Sequence, residues 1–395
     1  MRTAEPGIGA PSEHRVYYPA LDGLRAIAVL LVFCSHYVPL PARQNWLGIG
    51  VDFFFVLSGF LITGILYESR NKPFRVRSFY IRRTLRIFPL YYLVLLVGVL
   101  LYPLLRWHVH PGLWLWPVYL GNYARFIWPQ DYPQYIGGVR SSLAVVMPME
   151  YRLDHFWSLC VEEQFYLIWP FVVFLVKDRV RLRNFCIAAV VATPLLRMVC
   201  VHALPGWLID AGFLDRVTLL RGDSLLLGGF LALALKGPEG ARVQAMAKPA
   251  GVALIGLVGL LEVESVVRFG HVLDGDYVGR NSPFALTIAA LIGGVLILLA
   301  LDPKSAFYRL CVHSWLRALG QRSYGFYIYH FLFYSAFSYL AVLVCGHHRA
   351  RAVWATAAIA MVGSLAISWV SYRYFEAPIL KLKERFTPST EGALG

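Results

Sequence analysis

The amino-acid sequence predicts an all-α fold: a polytopic transmembrane helical bundle of about ten spans, with both termini cytoplasmic. Three observations predict it. Of the 395 residues, 58% are apolar and only 15% are charged, where soluble domains run at roughly 45–50% and about 25%. The apolar residues gather into windows near the length of about 20 residues that crosses a bilayer core. The Lys and Arg residues are unequally shared between the two sets of connections that alternate along the chain. Disordered and collagen-like chains are excluded by the same composition. A formal charge of +14 can mark a nucleic-acid binder, but here the basic residues stand between long apolar runs.

The windows are, in order, 17–38, 49–68, 87–105, 156–176, 184–205, 217–235, 249–267, 283–301, 323–345 and 351–373. The first follows a polar tail, 1–16, and has no small-residue cleavage site after it, so it reads as a membrane helix and not a signal peptide. The second opens on Gly50-Val51-Asp52 and runs through Ser58-Gly59. The third is preceded by a basic stretch from Arg70 to Arg86, read as a cytoplasmic loop. Leu113–Trp128 is apolar and aromatic but broken by Pro117 and Gly121, which suits an interfacial or re-entrant segment. The fourth span carries Glu162 and Glu163, and the sixth carries Arg221 and Asp223 near its outer end. A short cytoplasmic tail, 376–395, follows a single membrane domain over 17–375, with no linker, repeat or appended soluble domain expected. With ten spans the tails and every second loop share one side, and 24 of the 37 Lys and Arg fall there; that side is the cytoplasm. The six cysteines lie in or beside apolar stretches without a CxxC pair, so they read as free thiols and not as metal ligands.

Ionisable residues inside a membrane helix are costly and tend to face the bundle interior, where they serve a function. Arg25 and His36 are 11 residues apart, which brings them to one face of the first span about 16 Å apart along its axis. Asp22 is within reach of Arg25. Asp52 enters at about the depth of His36, and His155 and Glu162, seven apart, share a face of the fourth span. The outer half of the bundle is thus expected to collect His36, Asp52, His155, Glu162, Arg221 and Asp223, with Arg221 and Asp223 alternatively a structural pair. On the cytoplasmic side Arg83 and Arg86 share a helical face, and guanidinium forks suit phosphate. Phosphate-binding groups inside and acid–base groups outside suit transfer from a cytoplasmic phosphorylated donor to an acceptor near the outer face. A histidine held by a carboxylate can take a proton near neutral pH.

Beyond this physical reading, the chain resembles the acyltransferase-3 family of bacterial membrane acyltransferases. The resemblance is carried by Leu21-Asp22-Gly23-Leu24-Arg25, the Arg25-to-His36 spacing, Gly50 to Phe60, Arg83 with Arg86-Ile87-Phe88-Pro89, His155 to Pro170, Ser323-Tyr324 through His330, and Glu376-Ala377-Pro378. It implies an integral membrane O-acyltransferase of the bacterial cytoplasmic (inner) membrane. The donor would be cytoplasmic acyl-CoA, commonly acetyl-CoA, with no permanently bound cofactor and no metal. The acceptor would be a hydroxyl of a sugar in lipopolysaccharide, another surface polysaccharide, peptidoglycan or glycolipid, or else a macrolide-type small molecule. His36 would be catalytic, with Arg25 as its motif partner, and Arg83 and Arg86 would engage the donor. Some relatives carry a fused extracytoplasmic hydrolase-like domain, which is not expected here. Asp52 or Glu162 is expected to orient His36, and a covalent acyl-histidine is the competing route. Ser58, His330 and Glu376 complete the candidate pocket residues. A multi-span transporter is the rival class, since buried His, Glu and Arg suit it equally. His271 and Asp276 fit an HxxxxD pattern, but about 0.3 such matches arise by chance at this composition and the pair falls in an external loop, away from cytoplasmic CoA; His347-His348 is weak as a metal tract.

Overall fold

A computed structural model describes residues 17–38, 46–105, 111–129, 153–269, 283–346 and 349–383. Residues 1–16 and 384–395, His271, Asp276 and the His347-His348 pair lie outside the described residues. Among the described residues the regular structure is helical, with no strand. The principal helices are α1 (Pro19–Tyr37), α2 (Gly50–Ser69), α3 (Arg75–Leu105), α4 (Trp157–Leu175), α5 (Arg179–Ala203), α6 (Gly222–Ala234), α7 (Ala247–Phe269), α8 (Ala285–Leu301), α9 (Ser314–Gln321), α10 (Ser323–Leu332), α11 (Tyr334–Cys345) and α12 (Arg349–Ser371).

Each of the ten windows coincides with a helix or helix pair, but by length and composition six helices among the described residues can cross a membrane, or seven if the bent pair α10 and α11 counts as one span. Apolar helix α8 has 17 residues and α6 only 13. The α10–α11 pair bends by 63° at Phe333. Large apolar side chains cover the outside of the bundle; Leu175 is 78% and Val344 77% exposed, as hydrocarbon-facing positions are.

Two boundaries differ from expectation. Helix α3 begins at Arg75, directly after Phe74 at a φ of 53°, so Arg82, Arg83 and Arg86 stand on a spanning helix and not in a loop. Arginine is a good helix former, and nothing between residues 75 and 88 breaks the helix, although hydropathy falls there. The last helix continues past 373 through a π turn, Tyr372–Glu376, into Ala377–Lys381, which places Glu376 on the bundle. Leu113–Trp128 forms short turns of helix, Pro111–Leu115, Gly121–Tyr123 and Ala124–Ile127, as its Pro and Gly require. Its carbonyls at Trp116 and Pro117 accept from the hydroxyls of Tyr91 (2.7 Å) and Tyr92 (2.8 Å) on α3.

Close packing at the centre depends on small residues, as in membranes generally. Helices α2 and α6 cross so tightly that a Cβ on Gly59 would lie 1.8 Å from the Leu225 carbonyl oxygen, and one on Gly228 would lie 2.0 Å from that of Val56. Replacing Gly59 with Ala gains about 1 kcal/mol of helix propensity. The added methyl meets backbone that no rotamer change can clear, and overpacking of this kind costs about 1–3 kcal/mol or more. The clash wins, so Gly59→Ala is expected to lower the melting temperature in detergent; an unchanged or raised value would show that the helices do not meet there. All six cysteines are free, and Cys160, Cys186 and Cys311 are buried.

At the end of the bundle where α5 begins, Arg179 grips Glu239 through two hydrogen bonds (2.6 and 3.1 Å) and Arg183 adds a third (2.6 Å). Hydrogen bonds from Arg179 and then Arg183 hold the Glu239 carboxyl down to about 2, from the ordinary 4.5. A depressed carboxyl contributes stability that is complete above the unfolded value and is lost as pH falls towards the folded one. Wild-type protein is therefore expected to lose a small increment of stability between pH 4.5 and about 2 that Glu239→Gln lacks. Melting curves across that range check it; parallel curves for the two proteins would contradict the grip.

Candidate active site

Two adjoining polar centres stand in the interior. The first is a cavity of about 200 Å³ bounded by α1, α2, α3, α4 and α10. Its polar wall includes Arg25, Arg83, Arg86, Ser58 and Glu162, and its apolar wall comes mainly from α2, with Phe54, Phe55 and Leu61. Local geometry explains the arginines. Arg25 Nη1 donates to Asp22 Oδ1 at 2.7 Å, one turn away, and Tyr17 donates to the other carboxylate oxygen at 2.5 Å. Arg83 stacks on Tyr166, 3.8 Å from the ring centroid, and lies 3.7 Å from both Glu162 and Glu163. Tyr166 and Ser58 share a hydrogen bond across α4 and α2. Arg86 lines the same cavity and has no ion-pair partner among the described residues. Glu162, expected with the outer histidine group, thus faces Arg83.

The second centre is histidine. His36, on the last turn of α1, and His330, near the end of α10, approach with Nδ1 of the first 3.0 Å from Nε2 of the second. The Phe331 ring stacks on His36, with centroids 4.4 Å apart. His330 is fully buried, and its Nδ1 lies 2.6 Å from the Tyr327 carbonyl. The bend at Phe333 leaves the last carbonyls of α10 without helical partners, and the Tyr37 hydroxyl donates to that of His330. His155, in the turn before α4, is 5.3 Å from His330 by ring centroids and bonds the Ile328 carbonyl through Nε2 at 3.1 Å. Tyr327 joins the centres. It lines the cavity, its hydroxyl is 2.5 Å from Ser158 Oγ, and its carbonyl takes the His330 contact.

Asp52 stands elsewhere. Its Oδ1 accepts from Arg221 Nη2 at 2.7 Å and from Ser224 at 3.1 Å. Asp223, not paired with Arg221, accepts from Arg197 at 2.6 and 3.2 Å and from Thr287 at 2.6 Å. These two ion pairs tie α2, α5, α6 and α8 together, and the four charged residues are at most 5% exposed in their side chains. The expected contact of Asp52 or Glu162 with His36 is therefore replaced by His330, while Asp52 anchors helices. A buried pair is costly to break, by about 3–5 kcal/mol when one partner is removed, which suits a fixed brace. Glu376 accepts from Ser371 at 3.0 Å, and Ser371 in turn from Tyr329 on α10 at 3.0 Å.

Arg197, Tyr166, Ser158 and Tyr327 carry these networks without having been singled out from the sequence. Arg197 had a signal, since it stands 18 residues into an apolar helix. The hydroxyls had none beyond being polar in apolar runs. No group of three or more metal-type ligands occurs among the described residues.

Known proteins resemble the chain over most of its length. Residues 18–373 match the acyltransferase domain family. The peptidoglycan O-acetyltransferase OatA of Listeria monocytogenes is 29% identical over 93% of this chain and 56% of its own length. The O-acetyltransferase OatA of Staphylococcus aureus is 28% identical over 92% of this chain and 57% of its own. The chain thus spans about half the length of these relatives. No solved structure matches. A family match that runs from α1 to the end of α12 takes in both polar centres, and the chain belongs to this family of multi-pass bacterial membrane acyltransferases.

Proposed function

We propose that the chain moves an acetyl group from cytoplasmic acetyl-CoA to a sugar hydroxyl of a cell-envelope polysaccharide, the class that includes the peptidoglycan of its relatives. Ten spans with both termini in the cytoplasm of the bacterial inner membrane fit the basic-residue distribution. The observation that carries the reading is the adjacency of the arginine-walled cavity to the His36–His330 pair, with Tyr327 common to both. Guanidinium groups suit the phosphates of the donor, and the apolar wall suits its acyl end. In the reaction His36 takes the hydroxyl proton as the oxygen attacks the thioester carbon. The new C–O bond forms, the C–S bond breaks, and the departing thiolate recovers the proton from His36.

Purified protein in liposomes, given acetyl-CoA and peptidoglycan fragments, is expected to release free thiol in an acceptor-dependent manner and to acetylate the fragments. Movement of solute or lipid without thiol release would overturn the reading in favour of a transporter.

A further inference from the structure

The hydrogen-bond directions at the histidine pair determine which nitrogen of His36 reacts. A backbone carbonyl only accepts, so the 2.6 Å contact between His330 Nδ1 and the Tyr327 carbonyl puts a proton on His330 Nδ1. His330 is fully buried, and no carboxylate pairs with it among the described residues. Its described neighbours are the rings of Phe33, Phe326, Phe331, Tyr327, His36 and His155. A buried cation without a counter-ion is costly, so the ring is neutral and its Nε2 carries a lone pair. At 3.0 Å from that lone pair, His36 Nδ1 is a donor. A neutral His36 with its proton on Nδ1 has its own lone pair on Nε2.

The rest of the site holds this arrangement in place. Phe331 stacks on His36 and Phe326 lies parallel to His330 with a 1° interplanar angle. The Tyr37 hydroxyl fixes the His330 backbone from α1, the helix that carries His36. His155 bonds the Ile328 carbonyl through Nε2, which makes it a donor there. This is the job that a buried carboxylate performs in serine-protease triads, where it fixes the histidine tautomer; here a second histidine performs it.

We propose that His330 is the positioning residue for His36: its Nε2 holds the His36 proton on Nδ1 and so makes His36 Nε2 the nitrogen that accepts the substrate proton. This rests on the reading of His36 as the reactive base.

Three substitutions at one position test it in the full-length protein. In His330→Gln the side-chain carbonyl reaches the place of Nε2 and can accept from His36. In His330→Asn the shorter amide reaches the place of Nδ1, keeps the Tyr327 contact and offers His36 Nδ1 nothing at the place of Nε2. His330→Leu removes both. His330→Asn and His330→Leu are expected to lower kcat by about 100-fold or more with KM for acetyl-CoA within about twofold. His330→Gln is expected to keep kcat within about tenfold of wild type. A purely structural role predicts the reverse order, since Asn preserves the contact within α10, and equal activity of Asn and Gln would also overturn the proposal. A second measurement does not depend on activity. The ¹⁵N spectrum of histidine-labelled wild-type protein, with the His36 signals assigned by their loss in His36→Ala, should show His36 protonated on Nδ1. A His36 protonated on Nε2 would overturn the proposal outright. Transfer retained by His36→Ala would overturn the reading of His36 as base, whereas a His36-dependent enzyme indifferent to His330→Asn overturns only the role of His330.

Discussion

His36→Ala is expected to cut acetyl transfer by at least about 10²–10⁴-fold, the usual contribution of a positioned general base, while the protein remains folded. The expectation follows from where His36 sits. It is only partly buried at the end of α1, so its removal opens little core, and the loss of the donor to His330 Nε2 costs about 1–3 kcal/mol. A domain of this size tolerates that loss better than an enzyme tolerates losing a general base. Thiol release, acceptor acetylation and detergent melting temperature should be measured on the same preparation. Transfer near the wild-type level would dismiss His36 as base and as nucleophile together. A variant that binds acetyl-CoA with unchanged affinity and melts within a few degrees of wild type, yet transfers nothing, would place the loss in the chemical step.

How far such a site is legible from sequence depends on the range of the contact. The Arg25–His36 alignment and the Asp22–Arg25 pair are intrahelical, so periodicity alone exposes them. Hydropathy likewise locates the long apolar helices, because membrane helices are selected for it. It misses ends and bends. The basic start of α3 looks like a loop to a hydropathy count, although Arg, Tyr and Ile continue a helix readily. The 63° bend at Phe333 has no proline to announce it. Contacts between helices are least legible. Asp52 and His330 are both candidate pocket residues in the sequence, and only the packing of α10 against α1 decides that the histidine, 294 residues away, meets His36. Once Asp52 is committed to Arg221, and Asp223 to Arg197, four of the intramembrane charges become a brace across α2, α5, α6 and α8. Charge scarcity marked them as important without separating support from chemistry.

The same distinction predicts that the arginines of the cavity are not equivalent. Arg25 is committed to Asp22, and Arg83 to Glu162, Glu163 and the face of Tyr166. Arg86 alone of the three has no ion-pair partner among the described residues while lining the cavity, so its guanidinium is the one most available to a phosphate of the donor. A hydrogen bond to a charged group contributes about 1.5–3 kcal/mol, and about 1.4 kcal/mol is a factor of ten. Arg86→Gln is therefore expected to raise KM for acetyl-CoA by about 10–100-fold with kcat little changed, the signature of lost uniform binding. Arg86→Lys should recover part of it, because an ammonium keeps the charge and loses the fork. Arg83→Gln should behave differently. It strips two buried carboxylates of their cation, so its first effect is on stability, with a lower melting temperature before any kinetic change can be assigned. Steady-state kinetics over a range of acetyl-CoA concentrations, with melting curves for all three variants, separate the two roles. Equal KM increases and unchanged melting in Arg83→Gln and Arg86→Gln would show that both face the donor, and an unchanged KM in Arg86→Gln would remove the phosphate from this cavity.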